Sequence, residues 1–165
     1  MSAAAQNPVA AYRDTIGRFA TGVAVVTATG PEGPAGMTTN AVTSLSLDPL
    51  LLLVCFDLQS RTLDIVQQSR AFAVNILGAG DEELAAVFAS KRVAREKFDS
   101  VTHRETHGVP VLDSALAWIA CSLVELRPAG DHMIGIGEVI GMAVQDERSP
   151  LVFYRGRYNS ITDRG

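Results

Sequence analysis

The stretch Gly36–Phe56, GMTTNAVTSLSLDPLLLLVCF, joins two kinds of sequence. Its second half, Leu50 to Phe56, is seven apolar residues without interruption, and it predicts a buried strand. The first half also reads as extended, yet it carries Thr38, Thr39, Asn40, Thr43, Ser44 and Ser46 and no charge. Strand alternation over residues 36–47 puts Thr38, Asn40, Ser44 and Ser46 on one face. Met37, Thr39, Ala41, Thr43, Leu45 and Leu47 fall on the other. One face joins a core, while the other is small, neutral and rich in donors and acceptors. A solvated sheet face more often carries Lys and Glu. The polar face therefore reads as a wall for a neutral polar heterocycle, held by backbone and short side chains.

Outward from this stretch, the elements are short. Val9, Tyr12, Ile16 and Phe19 recur at spacings of three and four, which predicts an amphipathic helix over 8–20. GVAVVTATGPEGPAGMTT reads as a β-hairpin around a Gly/Pro turn. SRTLDIVQQS predicts a short helix with Ser60 at its start, AFAVNIL a strand, and GDEELAAVFAS another short helix opened by Asp81. Residues 90–110 read as a polar excursion. Two long strands follow, about 115–126 and 132–145, joined by RPAGDH, and PLVFYRGRY closes the chain. Strands outnumber helices and are linked by tight turns, which predicts a mainly β fold, an antiparallel barrel, rather than a doubly wound sheet. In ALAWIACSLVEL both alternation faces are apolar. That fits a barrel strand covered outside by helices or by a second subunit, and it points to a dimer.

Composition narrows the function. The 165 residues suit one domain with a substantial core, about 12–160. A net charge of −4 argues against nucleic acid as a partner, which calls for a basic face. The seven-residue apolar run falls far short of the roughly 20 residues needed to span a bilayer, so no membrane role is expected. MSAAAQNPVAAY lacks the charge and apolar core of a secretory signal. Cys55 and Cys121 both lie in apolar strands and read as buried thiols in a reducing, cytoplasmic compartment.

Four motifs bear on chemistry. GIGEVIG at 135–141 has the spacing GxGxxxG with no helix after it, so it is not a dinucleotide fingerprint. Its glycines share one strand face, open to a neighbouring backbone or a flat ligand. HRETH at 103–107 lies in a polar stretch without a third ligand and reads as a solvated loop; no metal site is expected. SRTLD gathers Ser60, Arg61 and Thr62 at a helix start, either as a cap or as an anion site. His132 of GDH enters the glycine-faced strand, as a ligand contact or as a turn residue.

These motifs, in order, resemble those of the flavin reductase-like family of the FMN-binding split-barrel fold. The likeness is strongest to the short NAD(P)H:flavin oxidoreductases that serve two-component monooxygenases. FATGVAVVTA, GMTTNAVTSLSLDPLLLLVCFD, SRTLDIV, FAVNIL, FAS with EKFD, GVPVLDSALAWIACSL, GDHMIGIGEVIG and PLVFYRGRY carry the resemblance across residues 15–158. It implies a homodimer of Greek-key split β-barrels holding FMN or FAD, with NADH or NADPH as hydride donor and a monooxygenase as recipient of reduced flavin. Thr38, Thr39, Asn40, Ala41, Val42, Thr43 and Ser44 would line the flavin ring, and Cys55 and Phe56 would continue that wall. Ser60, Arg61 and Thr62 would hold the phosphate. Asn75, Lys91 and Phe98 would form the rim. His132 would be catalytic, meeting the nicotinamide nucleotide, and Tyr158 would close the site. The alternative within the same fold is a flavin carrier or sensor without turnover. Ala41-Val42 and Pro49-Leu50 depart from the family's frequent Ser-aromatic and Pro-Pro pairs, and the choice between FMN and FAD stays open.

Overall fold

A computed structural model describes residues 7–161. The first six residues of the stretch read above for a secretory signal lie outside it. Among the described residues, no helix is long and apolar enough to cross a membrane.

The hairpin reading holds. Strand β2 (Ala24–Gly30) turns at Pro31–Glu32 into β3 (Gly33–Thr39), with Gly30 opposite Gly33. Gly33 has φ of 112°, a conformation that glycine adopts without strain. Residues 36–47 do not form one strand. The chain leaves β3 at Thr39 and re-enters a sheet as β4 (Val42–Leu47), which pairs with β5 (Leu50–Asp57). A single alternation therefore cannot run through Asn40–Ala41.

The main sheet is antiparallel, with seven strands in the order β3-β2-β6-β9-β10-β5-β4. Here β6 is Ala71–Ile76, β9 Ala117–Ala129 and β10 His132–Val144. The expected Greek-key split β-barrel is not found. The edge strands β3 and β4 share no ladder, so the sheet stays open. At the junction, polar groups bond to neighbours other than a β3–β4 ladder. Asn40 donates to Thr21 Oγ1 at 3.2 Å, and Ala41 N–H donates to Thr39 Oγ1 at 3.0 Å. The mainly β composition with short helices stands. A three-stranded sheet joins β1 (Thr21–Gly22) to β11 (Leu151–Tyr154) and β12 (Arg157–Ser160).

Residues 103–110, expected as part of a polar excursion, belong instead to a hairpin of β7 (His103–Thr106) and β8 (Val109–Leu112). His107 and Gly108 both have positive φ, the backbone of a tight hairpin turn. Val109 and Val111 of this hairpin cover Trp118 and Ala120 of β9. Cys121 and Leu123, from the same strand's other face, join Phe56, Phe72, Val54 and Val26 in the largest core cluster. β9 is thus covered on both sides within one chain, as its two apolar faces imply.

Among the described residues, three helices complete the fold: α1 (Pro8–Ile16), α2 (Arg61–Ser69) and α3 (Glu82–Ala89), with a 3₁₀ turn at Arg95–Phe98. α1 has the predicted apolar spacing, but Val9, Tyr12 and Ile16, with Phe19 beyond its end, are all exposed. α2 buries Leu63 and Val66 in the main core, which fixes where its N-terminus points.

Candidate active site

Where β3 ends, the start of α2, the end of α3 and the β9–β10 turn surround a cavity of about 550 Å³. That size suits a small-molecule site, typically about 300–1,000 Å³. Its neutral side is the run Met37–Ala41, with Cys55 of β5. Consecutive residues line it because the chain bends there, so the single polar face expected from alternation is replaced by a polar corner. Thr38 and Thr39 are already engaged. Thr38 Oγ1 donates to Ala85 O at 2.6 Å, pinning β3 to α3, and Thr39 holds the bend.

The opposite side is cationic. Ser60 sits at the N-cap of α2 but makes no capping bond. Its hydroxyl instead donates to Met37 Sδ at 3.1 Å. First-turn amides of a helix lack intrahelical acceptors, and no side chain caps those of Arg61 and Thr62. The macrodipole adds positive potential there. Arg61, Lys91, Arg92 and Lys97 line the same cavity, against one carboxylate, Asp57. Asp57 Oδ1 accepts from Gln59 N–H at 2.7 Å, which shapes the loop leading to Ser60.

His132 completes the rim. Its Nδ1 lies 2.7 Å from Asp131 Oδ1. A carboxylate only accepts, so Nδ1 carries the hydrogen and, in the neutral ring, Nε2 remains the acceptor. The same bond holds the Asp131 carboxyl below its usual range.

The structure brings Thr38, Thr39, Asn40, Ala41, Cys55, Ser60, Arg61, Thr62, Lys91 and His132 to this one cavity. Val42, Thr43, Ser44, Phe56, Asn75, Phe98 and Tyr158 do not line it. Strand neighbours face opposite sides, so Cys55 meets the cavity while Phe56 is fully buried at 5.9 Å from the Phe72 ring. Asn75 is 0% exposed and fully engaged. Its Nδ2 donates to Val25 O and Thr27 Oγ1, and its Oδ1 accepts from Leu112 N–H. Phe98 packs on Phe88, and Tyr158 packs on Phe153 in the small sheet. Thr43 and Ser44 are exposed on the edge strand β4.

The glycine face of β10 is not a ligand platform either. A Cβ at Gly135 would lie 2.6 Å from the Phe56 ring, and one at Gly137 would lie 2.6 Å from the Phe72 ring. Both glycines make room for core aromatics. Of the two cysteines, both free, Cys121 is buried with its thiol pushed up to about 12, whereas Cys55 lines the cavity. Sequence reasoning missed Met37 and Lys97. The motif EKFD contains the signal, a lysine beside an apolar anchor, but lysine is rarely buried, and so the motif points to Phe98 instead.

A model of the flavin reductase like domain matches residues 16–162. The chain belongs to the flavin reductase-like family. This family member is 37% identical over 152 residues to a flavin reductase of Pseudomonas putida, covering 91% of this chain and 88% of that one. It is 39% identical over 150 residues to the reductase component of a 4-nitrophenol 4-monooxygenase/4-nitrocatechol 2-monooxygenase of Rhodococcus opacus, covering 90% and 79%. The solved structure of a Streptomyces globisporus NADH:FAD oxidoreductase in complex with NAD and FAD fragments matches with a TM-score of 0.88. It shares 35% identity, over 96% of this chain and 95% of that one. The flavin reductase-like cavity fits the chemistry of a flavin nucleotide on its own evidence. A neutral donor–acceptor corner suits the heterocycle, and an uncapped helix start with facing cations suits a phosphate. Among the described residues, no cluster of three His, Cys, Asp or Glu is arranged to hold a metal.

Proposed function

We infer that this protein is an NAD(P)H-dependent flavin reductase that supplies reduced flavin to a partner monooxygenase. The observation that carries the reading is the pairing, in one cavity of a flavin reductase-like chain, of a neutral hydrogen-bonding corner with an uncapped, cation-flanked helix start. Bound FMN or FAD supplies the hydride acceptor, and NADH or NADPH supplies the hydride. The protein contributes binding and alignment, which this chemistry chiefly needs. Asn40, the Ala41 backbone and Cys55 form the side assigned to the heterocycle. Ser60, Arg61 and Thr62 take the phosphate through amide N–H groups and charge, with Lys91 on the rim. His132, oriented by Asp131, is assigned to the nicotinamide nucleotide, with Nε2 as the acceptor for its carboxamide.

The protein acts as a homodimer in this reading. Opposed across β5 and β10, Cys55 faces Ile134 and Leu53 faces Ile136. Leu51, Leu53, Ile134 and Ile136 are only half-buried, although each lies in mid-sheet, and they run directly up to the cavity-lining Cys55. Val124 and Leu45 extend the exposed apolar surface. A second copy is the partner that would bury such a face. In sedimentation, Leu53→Asp should convert dimer to monomer; an unchanged dimer would place the interface elsewhere.

The activity test mixes the purified protein with NADH or NADPH and excess FMN, FAD or riboflavin, following loss of reduced-nicotinamide absorbance. Flavin-stimulated oxidation is expected. Its absence with every combination would overturn the assignment.

A further inference from the structure

Lys97 is 7% exposed, in a chain that pairs neither it nor Arg61 with a carboxylate among the described residues. Its Nζ donates to Gly36 O at 3.3 Å and to Phe88 O at 3.0 Å, the two carbonyls belonging to β3 and to the end of α3. An ammonium has three donors, so these carbonyls leave one N–H over. Both carbonyl residues and Lys97 itself line the cavity. A buried ammonium without a counter-ion is unfavourable, and a second cation nearby makes it more so. Arg61 is that second cation: burial first, and then the Arg61 charge, lower the Lys97 pKa. The other charged or titratable groups on the cavity are Cys55, Asp57, Lys91, Arg92 and His132, and Asp57 Oδ1 accepts from Gln59 N–H.

We propose that Lys97 is a ligand of the flavin's phosphate, reaching it from the 3₁₀ turn together with Arg61 and the first amides of α2. The inference rests on the flavin reductase reading and deepens it. A phosphate monoester brings about two negative charges, which match the Lys97 and Arg61 pair. The two carbonyls hold the ammonium in place before the ligand arrives, so little side-chain freedom is lost on binding. Lys97 thereby makes the site discriminate phosphorylated flavins from riboflavin, which has the same ring and no phosphate.

The test compares FMN with riboflavin as substrates of Lys97→Gln, whose amide stays polar at that position but is one bond shorter and carries no charge. The Michaelis constant for FMN should rise about 10- to 100-fold more than that for riboflavin, the loss of one charge-assisted hydrogen bond. Equal rises for both flavins, or no rise for either, would overturn the proposal and make Lys97 a strut. If the variant does not fold, the Lys97 Cε resonance of the unaltered protein is followed against pH by NMR. FMN should move its titration midpoint upward and riboflavin should not; the same midpoint with both overturns the proposal. Failure of the unaltered protein to reduce either flavin would count against the flavin reading itself, separately from Lys97.

Discussion

The stretch Met37–Ala41 and the glycine face of Gly135–Gly141 invite the same interpretation and receive opposite fates. Each places short side chains where a flat ligand could approach. At Gly135 and Gly137 the space is taken by Phe56 and Phe72 from the chain's own core. At Met37–Ala41 nothing of the kind fills it, because the chain bends out of the sheet and faces a helix start whose amides no side chain caps. A small residue reports only that something comes close. What decides between packing and binding is whether the fold itself supplies the occupant.

That contrast can be broken at either end. The largest expected effect comes from a residue that resembles a site residue but belongs to packing. Asn75→Ala should lower stability by roughly 2–4 kcal/mol, since it strands buried partners at Val25, Thr27 and Leu112. Flavin affinity of the folded fraction should stay the same, as checked by denaturant titration and flavin fluorescence. Selective loss of flavin binding would move Asn75 into the site. Next, Gly137→Ala should cost about 1–3 kcal/mol through overpacking against Phe72 and Cys121. Its thermal midpoint should fall with kcat/KM intact, whereas a stable variant that has lost flavin would restore β10 as a ligand surface.

Smaller effects sharpen the cavity side. His132→Ala should raise the Michaelis constant for the nicotinamide nucleotide about three- to tenfold, the scale of one hydrogen bond, and leave flavin affinity nearly unchanged. The reverse pattern in paired titrations would assign the histidine to the flavin. Ser60→Ala should change unfolding free energy by less than about 0.5 kcal/mol, because its hydroxyl makes no capping bond. A loss of a full kilocalorie per mole or more, the size of a lost cap, would show that Ser60 caps α2 after all.

Much of this was legible in sequence because it is local. The Gly30–Gly33 hairpin, the start of α2 at Arg61 and the two apolar faces of β9 each follow from a few adjacent residues. Other features depend on partners distant in the chain. Alternation was carried through Asn40–Ala41 because nothing local signals that β3 and β4 sit at opposite edges of an open sheet. HRETH was read as a loop because its polar strand is held by the apolar β8 beyond the turn. Lys97 was missed because its burial is set by β3 and α3, which lie far from it in sequence. Among the expected site residues that failed to converge, Phe56 sits beside Cys55, which did, and Asn75 is engaged by the core it holds. Parity and hydrogen-bond partners decide their role, and neither shows in a motif.

The most direct measurement is a crystal structure of the protein with FMN bound. The ring is expected against Asn40, Ala41 and Cys55, with the phosphate at the Arg61 and Thr62 amides. A ring lying on the Gly135–Gly141 strand, or a phosphate held away from α2, would contradict it.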